Sequence, residues 1–261
     1  MGVDLKMYEA LIDPNRWAQV FSSMDTFWDG FFMTVAVVIA GNLLSLVLGT
    51  LLGVMSTTNS KILRAISRVY VEFFQNTPLP VQVMFFYMCG PLILQNITGA
   101  SDPIRIAPFV LGFVAVGLYH AAYVSEVIRS GIEAVPKGQL EAAKSQGFTR
   151  VQSYRYVILP QTLKMILPPL CNQALNLVKN TSVLALVAGG DLMYRSDSFV
   201  SLNGYLQGYI MCCILYFIIC FPIATAAKYL EKRAKAQPKP KKVKAYIPPQ
   251  PVGENAVKGG M

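Results

Sequence analysis

Five stretches of the chain are apolar enough to cross a bilayer, at roughly 31–56, 69–95, 107–127, 165–188 and 204–227, each near the ~20 residues a membrane helix needs. A hydrocarbon layer offers no water to unpaired backbone groups, so such runs must be helical. The pattern predicts an all-α, polytopic membrane protein of about five transmembrane helices. The runs differ in kind. The first carries Gly41, Ser45, Gly49 and Gly53 at four-residue spacing, a stripe that lets another helix approach closely. It reads as packing within the chain first and as a subunit contact second, and Gly204 and Gly208 form a shorter version in the last run.

The second run is interrupted by Glu72, Gln75, Asn76, Thr77, Pro78 and Pro80 before it becomes continuously apolar from Val81. Two prolines remove two backbone donors, and broken helix at membrane depth survives only where protein buries it or where it lines a wet cavity. Thr77 is therefore either part of a kinked helix starting at the inner interface or a lining residue of a path.

The fourth run is the most polar. Asn172, Asn176 and Asn180 recur every four residues, with Gln173 and Lys179 beside them, which places amides along one helical side. A lysine at the centre of a bilayer costs about 2.5–3.5 kcal/mol on the lenient insertion scale, so this stripe must face protein or water. Lys179 either bonds carbonyls freed by the broken second run or meets a solute. The neutral amides Asn172, Gln173, Asn176 and Asn180, with Thr77, are the candidates for a substrate path.

Charge orients the runs. Lys61, Arg64 and Arg68 follow the first, and Arg129, Lys137, Lys144, Arg150, Arg155 and Lys164 follow the third, whereas loops 96–106 and 189–203 hold only Arg105 and Arg195. The positive-inside rule then predicts the N-terminus outside, the 129–164 loop in the cytoplasm and the C-terminus inside. The expected divisions are an extracytoplasmic segment at 1–30, a membrane domain at 31–228 and a basic tail at 229–261. The N-terminal segment, with Asp4, Glu9, Asp13, Asp25 and Asp29 against Lys6 and Arg16, lacks the basic start of a secretory signal, so the first span is expected to double as the insertion signal.

Composition agrees: 54% hydrophobic and 14% charged residues with a mean hydropathy of +0.44 are too apolar for an ordinary soluble domain. The net charge of +9 does not point to nucleic acid, because from Lys228 onward nine Lys/Arg stand against Glu231 and Glu254. That Pro- and Lys-rich tail is expected to be unstructured and to lie on anionic membrane lipid. Cys89, Cys171, Cys212, Cys213 and Cys220 all fall in apolar runs and read as small hydrophobes rather than a disulfide framework. His120 is the single histidine and has no ligand partners at metal spacing. It is expected to face the helical bundle as a satisfied polar group. Glu126 and Arg129, three apart on one helix face, are expected to pair as a structural ion pair in preference to a gate. No G-x4-G-K-[ST] loop is present, nor a Ser/His/Asp arrangement, so the chain is not expected to be an enzyme or to bind a cofactor itself.

The most specific signal is Glu141-Ala142-Ala143-Lys144-Ser145-Gln146-Gly147, followed by Val157-Ile158-Leu159-Pro160. It resembles the EAA loop of the permease subunits of binding-protein-dependent ABC importers. Thr77-Pro78-Leu79-Pro80-Val81-Gln82, Ala122-Tyr123-Val124-Ser125-Glu126 with Arg129 and Gly131, Lys179-Asn180-Thr181-Ser182 and Gly190-Asp191-Leu192 are similar to segments of the polar amino acid permeases in that class, with departures at Gln75-Asn76 and Pro80. The ordered matches cover roughly residues 30–230.

The resemblance implies the type I ABC importer permease fold in a bacterial plasma membrane. It implies a loop of two short helices with Gly147 at the turn, and Glu141, Ala142 and Ala143 on the helix that docks on an ATPase. It further implies a pair of ATPase subunits that use the ATP, a second permease copy or a related subunit, an extracytoplasmic solute-binding protein and a polar amino acid as substrate. An ion-coupled secondary transporter would suit the broken helix and midplane polar residues, but leaves the EAA loop without a task. A non-transporting scaffold recruiting partners through its basic tail leaves the asparagine stripe unexplained.

Overall fold

The computed structural model describes residue 9 and residues 11–235. Expectations for residues 1–8 and for the tail from 236 onward lie outside the described residues. Among those described, every regular element is helical: α1 (Pro14–Ser22), α2 (Met24–Ser56), α3 (Lys61–Asn76), α4 (Leu79–Thr98), α5 (Pro108–Glu133), α6 (Lys137–Ser145), α7 (Arg150–Ser153), a π-turn (Tyr154–Ile158), α8 (Leu159–Asn180), a 3-10 stretch (Thr181–Val187), α9 (Leu192–Asn203) and α10 (Gln207–Lys235).

Among the described residues four helices, α2, α4, α5 and α10, are long and apolar enough to cross a membrane. The fifth expected span corresponds to α8, whose 22 residues are sufficient in length but whose lysines and amides dilute its hydropathy. At 33 residues, α2 is about 50 Å long at 1.5 Å per residue, well beyond a ~30 Å hydrocarbon core. It begins at Met24, ahead of the expected boundary at 31, and α10 runs to Lys235, past the expected boundary at 228.

The expected run at 69–95 is two helices. Thr77 is extended (φ −115°, ψ 138°), the conformation a following proline imposes, and Pro78 and Pro80 stand at the entrance to α4, where their missing donors cost nothing. The preceding α3 is amphipathic, burying Ser67, Val71 and Phe74. Ser67 Oγ donates to the Leu52 carbonyl at 2.8 Å, and Tyr70 Oη to the Leu118 carbonyl at 2.8 Å, which pins α3 across α2 and α5.

The small-residue stripe of α2 packs on α5. A Cβ at Gly49 would lie 2.6 Å from Val124 and 2.8 Å from the Ala121 carbonyl, and one at Gly53 would lie 2.6 Å from Ile128. Alongside this seam, Val37, Val83, Ala115, Val116, Leu177 and Val178 form the main core, joining α2, α4, α5 and α8. A second cluster, Val20, Phe27, Leu192, Phe199, Met211 and Leu215, ties α1 and the start of α2 to α9 and α10. Asp191 caps α9 by accepting from Met193 N at 3.0 Å, and Leu192 N donates to Thr34 Oγ1 at 2.9 Å.

Candidate functional site: the polar side of α8 and the loop before it

The loop is built by local chemistry. Gly147 has φ +82°, Phe148 N donates to the Ala143 carbonyl at 3.1 Å, and Gly147 N donates to the Lys144 carbonyl at 2.9 Å. This pair of bonds around a left-handed residue is the Schellman ending of a helix. A Cβ at Gly147 would meet nothing within 4 Å, so the glycine answers a backbone need rather than a space need. The next helix opens with a reciprocal capping box: Thr149 N donates to Gln152 Oε1 at 2.9 Å and Gln152 N to Thr149 Oγ1 at 3.3 Å. The structure thus has two short helices with the glycine between them. Ala143 is buried while Glu141 and Ala142 are exposed, so the side of α6 that turns away from the bundle is free.

From α7 the chain passes into α8 through the π-turn, where Leu159 N reaches back to the Tyr154 carbonyl. Pro160 has no N–H to continue the ordinary ladder, which explains the widened turn just before it. Gln161 Nε2 donates to the Val157 carbonyl at 2.8 Å and to Gln139 Oε1 at 2.5 Å. That second bond ties the first turn of α6 to the first turn of α8.

Along α8 the amides part company. Asn172, Asn176 and Lys179 are exposed, and their spacing of four and three puts them on one helical face. Asn180 turns inward and donates from Nδ2 to His120 Nε2 at 3.0 Å. His120 is 2% exposed, so it is the expected buried polar group of the bundle, but it is only half satisfied: Asn180 pairs with Nε2, while Nδ1 has no hydrogen-bond partner among the described residues. Gln173 lines a cleft of about 370 Å³ between α5 and α8, with Tyr123, Glu126 and Ser130. Glu126 also lines a second, larger polar cleft of about 480 Å³ bounded by Arg64, Arg68, Glu72 and Gln75 of α3 and Arg129 and Glu133 of α5. Arg129 grips Glu126 with two bonds, Nε to Oε1 at 3.2 Å and Nη2 to Oε2 at 2.6 Å, and donates from Nη1 to Glu133 at 2.9 Å.

Thr77 stands apart from the amides of α8. Its hydroxyl donates to the Phe73 carbonyl at 2.7 Å and accepts from Gln82 Nε2 at 2.6 Å. Gln82, which is 6% exposed, also reaches the Phe74 and Thr77 carbonyls at 3.2 Å each. It plugs the carbonyls freed between α3 and α4. No hydrogen bond from the Lys179 ammonium to this break exists among the described residues. Sequence reasoning met Gln82 only as the end of the Thr77–Gln82 match and gave it no role, although a glutamine two residues after Pro80 in an apolar run needs polar partners nearby.

Residues 45–236 match the family described as "Binding-protein-dependent transport system inner membrane component". The chain is 39% identical to "Probable glutamine ABC transporter permease protein GlnM" of Bacillus subtilis, across 82% of this chain and 95% of that one. It is 32% identical to "Glutamate/aspartate import permease protein GltJ" of Escherichia coli K12, across 70% of this chain and 80% of that one. Among solved structures, an amino acid ABC transporter crystallised with histidines superposes with a TM-score of 0.72 at 28% identity, covering 83% of this chain and 97% of its own. The inward-facing MetNI methionine ABC transporter shares the fold at 19% identity, with a TM-score of 0.59 over 82% of this chain and 96% of its own.

Proposed function

The chain belongs to the family of binding-protein-dependent transport system inner membrane components, as the permease subunit of an ATP-driven importer, and we propose on that premise that its substrate is a polar amino acid. It is not an enzyme: the family's hydrolysis belongs to an ATPase partner, and a substrate-binding protein delivers the solute. Relatives named for glutamine and for glutamate/aspartate support a polar amino acid. The observation that carries the proposal is the exposure of Asn172 and Asn176 on α8, a helix of 22 residues, long enough to cross a bilayer. An uncovered amide in hydrocarbon is unfavourable, so this face meets either a second permease copy or a related subunit across a wet passage, where amides bind a zwitterion through neutral hydrogen bonds.

In this reading Asn172, Gln173 and Asn176 contact the solute, while Asn180 and Thr77 act from behind through His120 and Gln82. The loop lies in the cytoplasm, with the N-terminus outside, the C-terminus inside and the plasma membrane between. Glu141, Ala142, Ala143 and Gly147 form the docking element for one of a pair of ATPases, which hold the ATP while this subunit binds no cofactor. Closure of the ATPases displaces α6, and the Gln139–Gln161 bond and the π-turn carry that displacement into α8, which alternates the access of its amides.

The test is uptake of labelled glutamine, glutamate, aspartate, histidine and methionine by cells expressing the complete importer, wild type and Asn176→Leu. Saturable uptake of a polar member, weakened in the variant at unchanged membrane abundance, is expected. Uptake of methionine alone, or a variant that transports every solute normally, would overturn the assignment.

A further inference from the structure

Beside the seam of α2 and α5, on the side where the start of α8 packs, the helices leave a groove of about 500 Å³ with almost entirely apolar walls, among them Val54, Ile128, Ile132, Leu159, Leu163 and Ile166. It ends at Thr57, Thr58 and Tyr154, and these same three residues form the wall of a second cavity of about 490 Å³ that also holds Asn59, Lys144 and Arg150. An apolar slot between membrane helices therefore opens directly into a basic pocket.

Among the described residues the pocket's charges have no ion-pair partner. Lys144 and Arg150 are exposed, the ion pairs formed by Arg16 and Arg129 include neither of them, and no carboxylate lines the pocket. An adjoining recess adds Arg64 and Lys137, and its one acid, Glu133, is held by Arg129 at 2.9 Å. Lys144 sits in the last turn of α6, where the helix dipole welcomes a cation, and Arg150 stands in the single turn of α7. Tyr154, half-exposed at the shared wall, has the amphipathic character of a residue at headgroup level.

We propose that this slot binds one anionic phospholipid, with an acyl chain between α2, α5 and α8 and its phosphodiester on Lys144 and Arg150. Charge complementarity selects the occupant: the apolar groove alone would accept any lipid, and the basic pocket alone any phosphate, but the two joined end to end fit a molecule that is both. Because the pocket is formed by α6 and α7, bound lipid would brace the loop from its membrane side and leave the opposite side of α6 free.

The full-length permease, purified in mild detergent, tests this by native mass spectrometry with phosphatidylglycerol and with phosphatidylcholine. Lys144→Gln with Arg150→Gln alters two exposed, unpaired side chains and should not disturb folding. Val54→Trp, also at an exposed position, fills the groove. Wild type should retain a single phosphatidylglycerol in preference to phosphatidylcholine. The double charge variant should lose that preference by about thirtyfold, the worth of two cations near an anionic headgroup. Val54→Trp should displace both lipids, and inorganic phosphate should not compete. Equal retention of the two lipids, unchanged retention in the charge variant, or full competition by inorganic phosphate would overturn the proposal. So would a charge variant that keeps the lipid but no longer assembles with its ATPase, since Lys144 and Arg150 would then belong to that contact.

Discussion

The seam of α2 against α5 and the outward face of α8 both carry small or polar residues at helical spacing, and they do opposite things with it. At the seam, a Cβ on Gly49 would fall 2.6 Å from Val124, so the stripe is consumed by contact and nothing can enter. On α8, Asn172 and Asn176 stay exposed while Asn180, one turn further on, is closed by His120. Periodicity marks a face in both cases. Whether the face seals or stays open depends on what the neighbouring helix brings to it: carbonyls and branched side chains in one case, and none of the described residues in the other.

Breaking the seam should have the largest effect. Gly49→Leu drives a side chain into Val124 and into the Ala121 backbone, which cannot rotate away. Overpacking typically costs about 1–3 kcal/mol, and a clash with backbone belongs at or above that upper end. We expect near-complete loss of folded permease from the membrane, measured by quantitative blotting and size-exclusion chromatography of the solubilised protein. Normal abundance would mean that α2 can shift away from α5 and that the seam is not closed.

Gly147→Asp comes next and strikes the open side. The strain of a non-glycine residue at φ +82° is about 1–3 kcal/mol, and no atom lies within 4 Å of the new Cβ. Membrane abundance should therefore survive. Substrate-stimulated ATP hydrolysis and uptake should fall together, because the turn that presents α6 is altered and gains a charge. Retention of both activities would show that the turn's shape is immaterial to docking.

Asn176→Leu, of similar volume, should leave assembly intact or improved and weaken uptake by about tenfold or more, the value of one buried polar group left without its partner. Poor assembly with normal transport by what remains would make the amide face interhelical glue.

The smallest effect concerns Asp191, in the turn before α9 and outside the spans. Burial pushes its carboxyl up from 3.8 to about 6, against the opposing hydrogen bond from Met193 N. The folded state therefore holds this proton more tightly than the unfolded chain. The associated stability is full below about pH 4 and is lost as pH rises through about 6. Wild type should lose about 5 °C in melting temperature across that window, and Asp191→Asn, which keeps an oxygen for Met193 N, should show a flat profile. A wild-type profile that is flat or rises would contradict the buried environment assigned to Asp191.

Much of this was legible in the residues. The two helices and glycine turn of the EAA loop were implied by the family resemblance, and the Schellman ending and Thr149/Gln152 capping box that build them are local devices that need no tertiary partner. The Glu126–Arg129 pair was legible for the same reason. The break at Pro78 and Pro80 within 69–95 was legible too, but not that the residues before it belong to a separate helix reaching back to Lys61: hydropathy averages across a break, and only the extended Thr77 shows that the prolines begin a helix instead of kinking one. The split of the asparagines was also out of reach. Their spacing is compatible with one face, but Asn180 is drawn inward by His120, sixty residues away, and single-sequence periodicity carries no information about such a partner.

The claim that α8 keeps an open polar face for the solute is tested most directly by accessibility. Asn176→Cys is placed in a permease whose five native cysteines are replaced by serine or alanine, assembled with its ATPase and binding protein, and treated with a small hydrophilic methanethiosulfonate in the presence and absence of glutamine. The account predicts that Cys at this position reacts readily, that reaction stops uptake, and that glutamine slows the reaction while a cysteine replacing Ser45, buried in the sealed seam, stays inert. A cysteine at 176 that does not react, or that reacts at the same rate whatever polar amino acid is present, would contradict it.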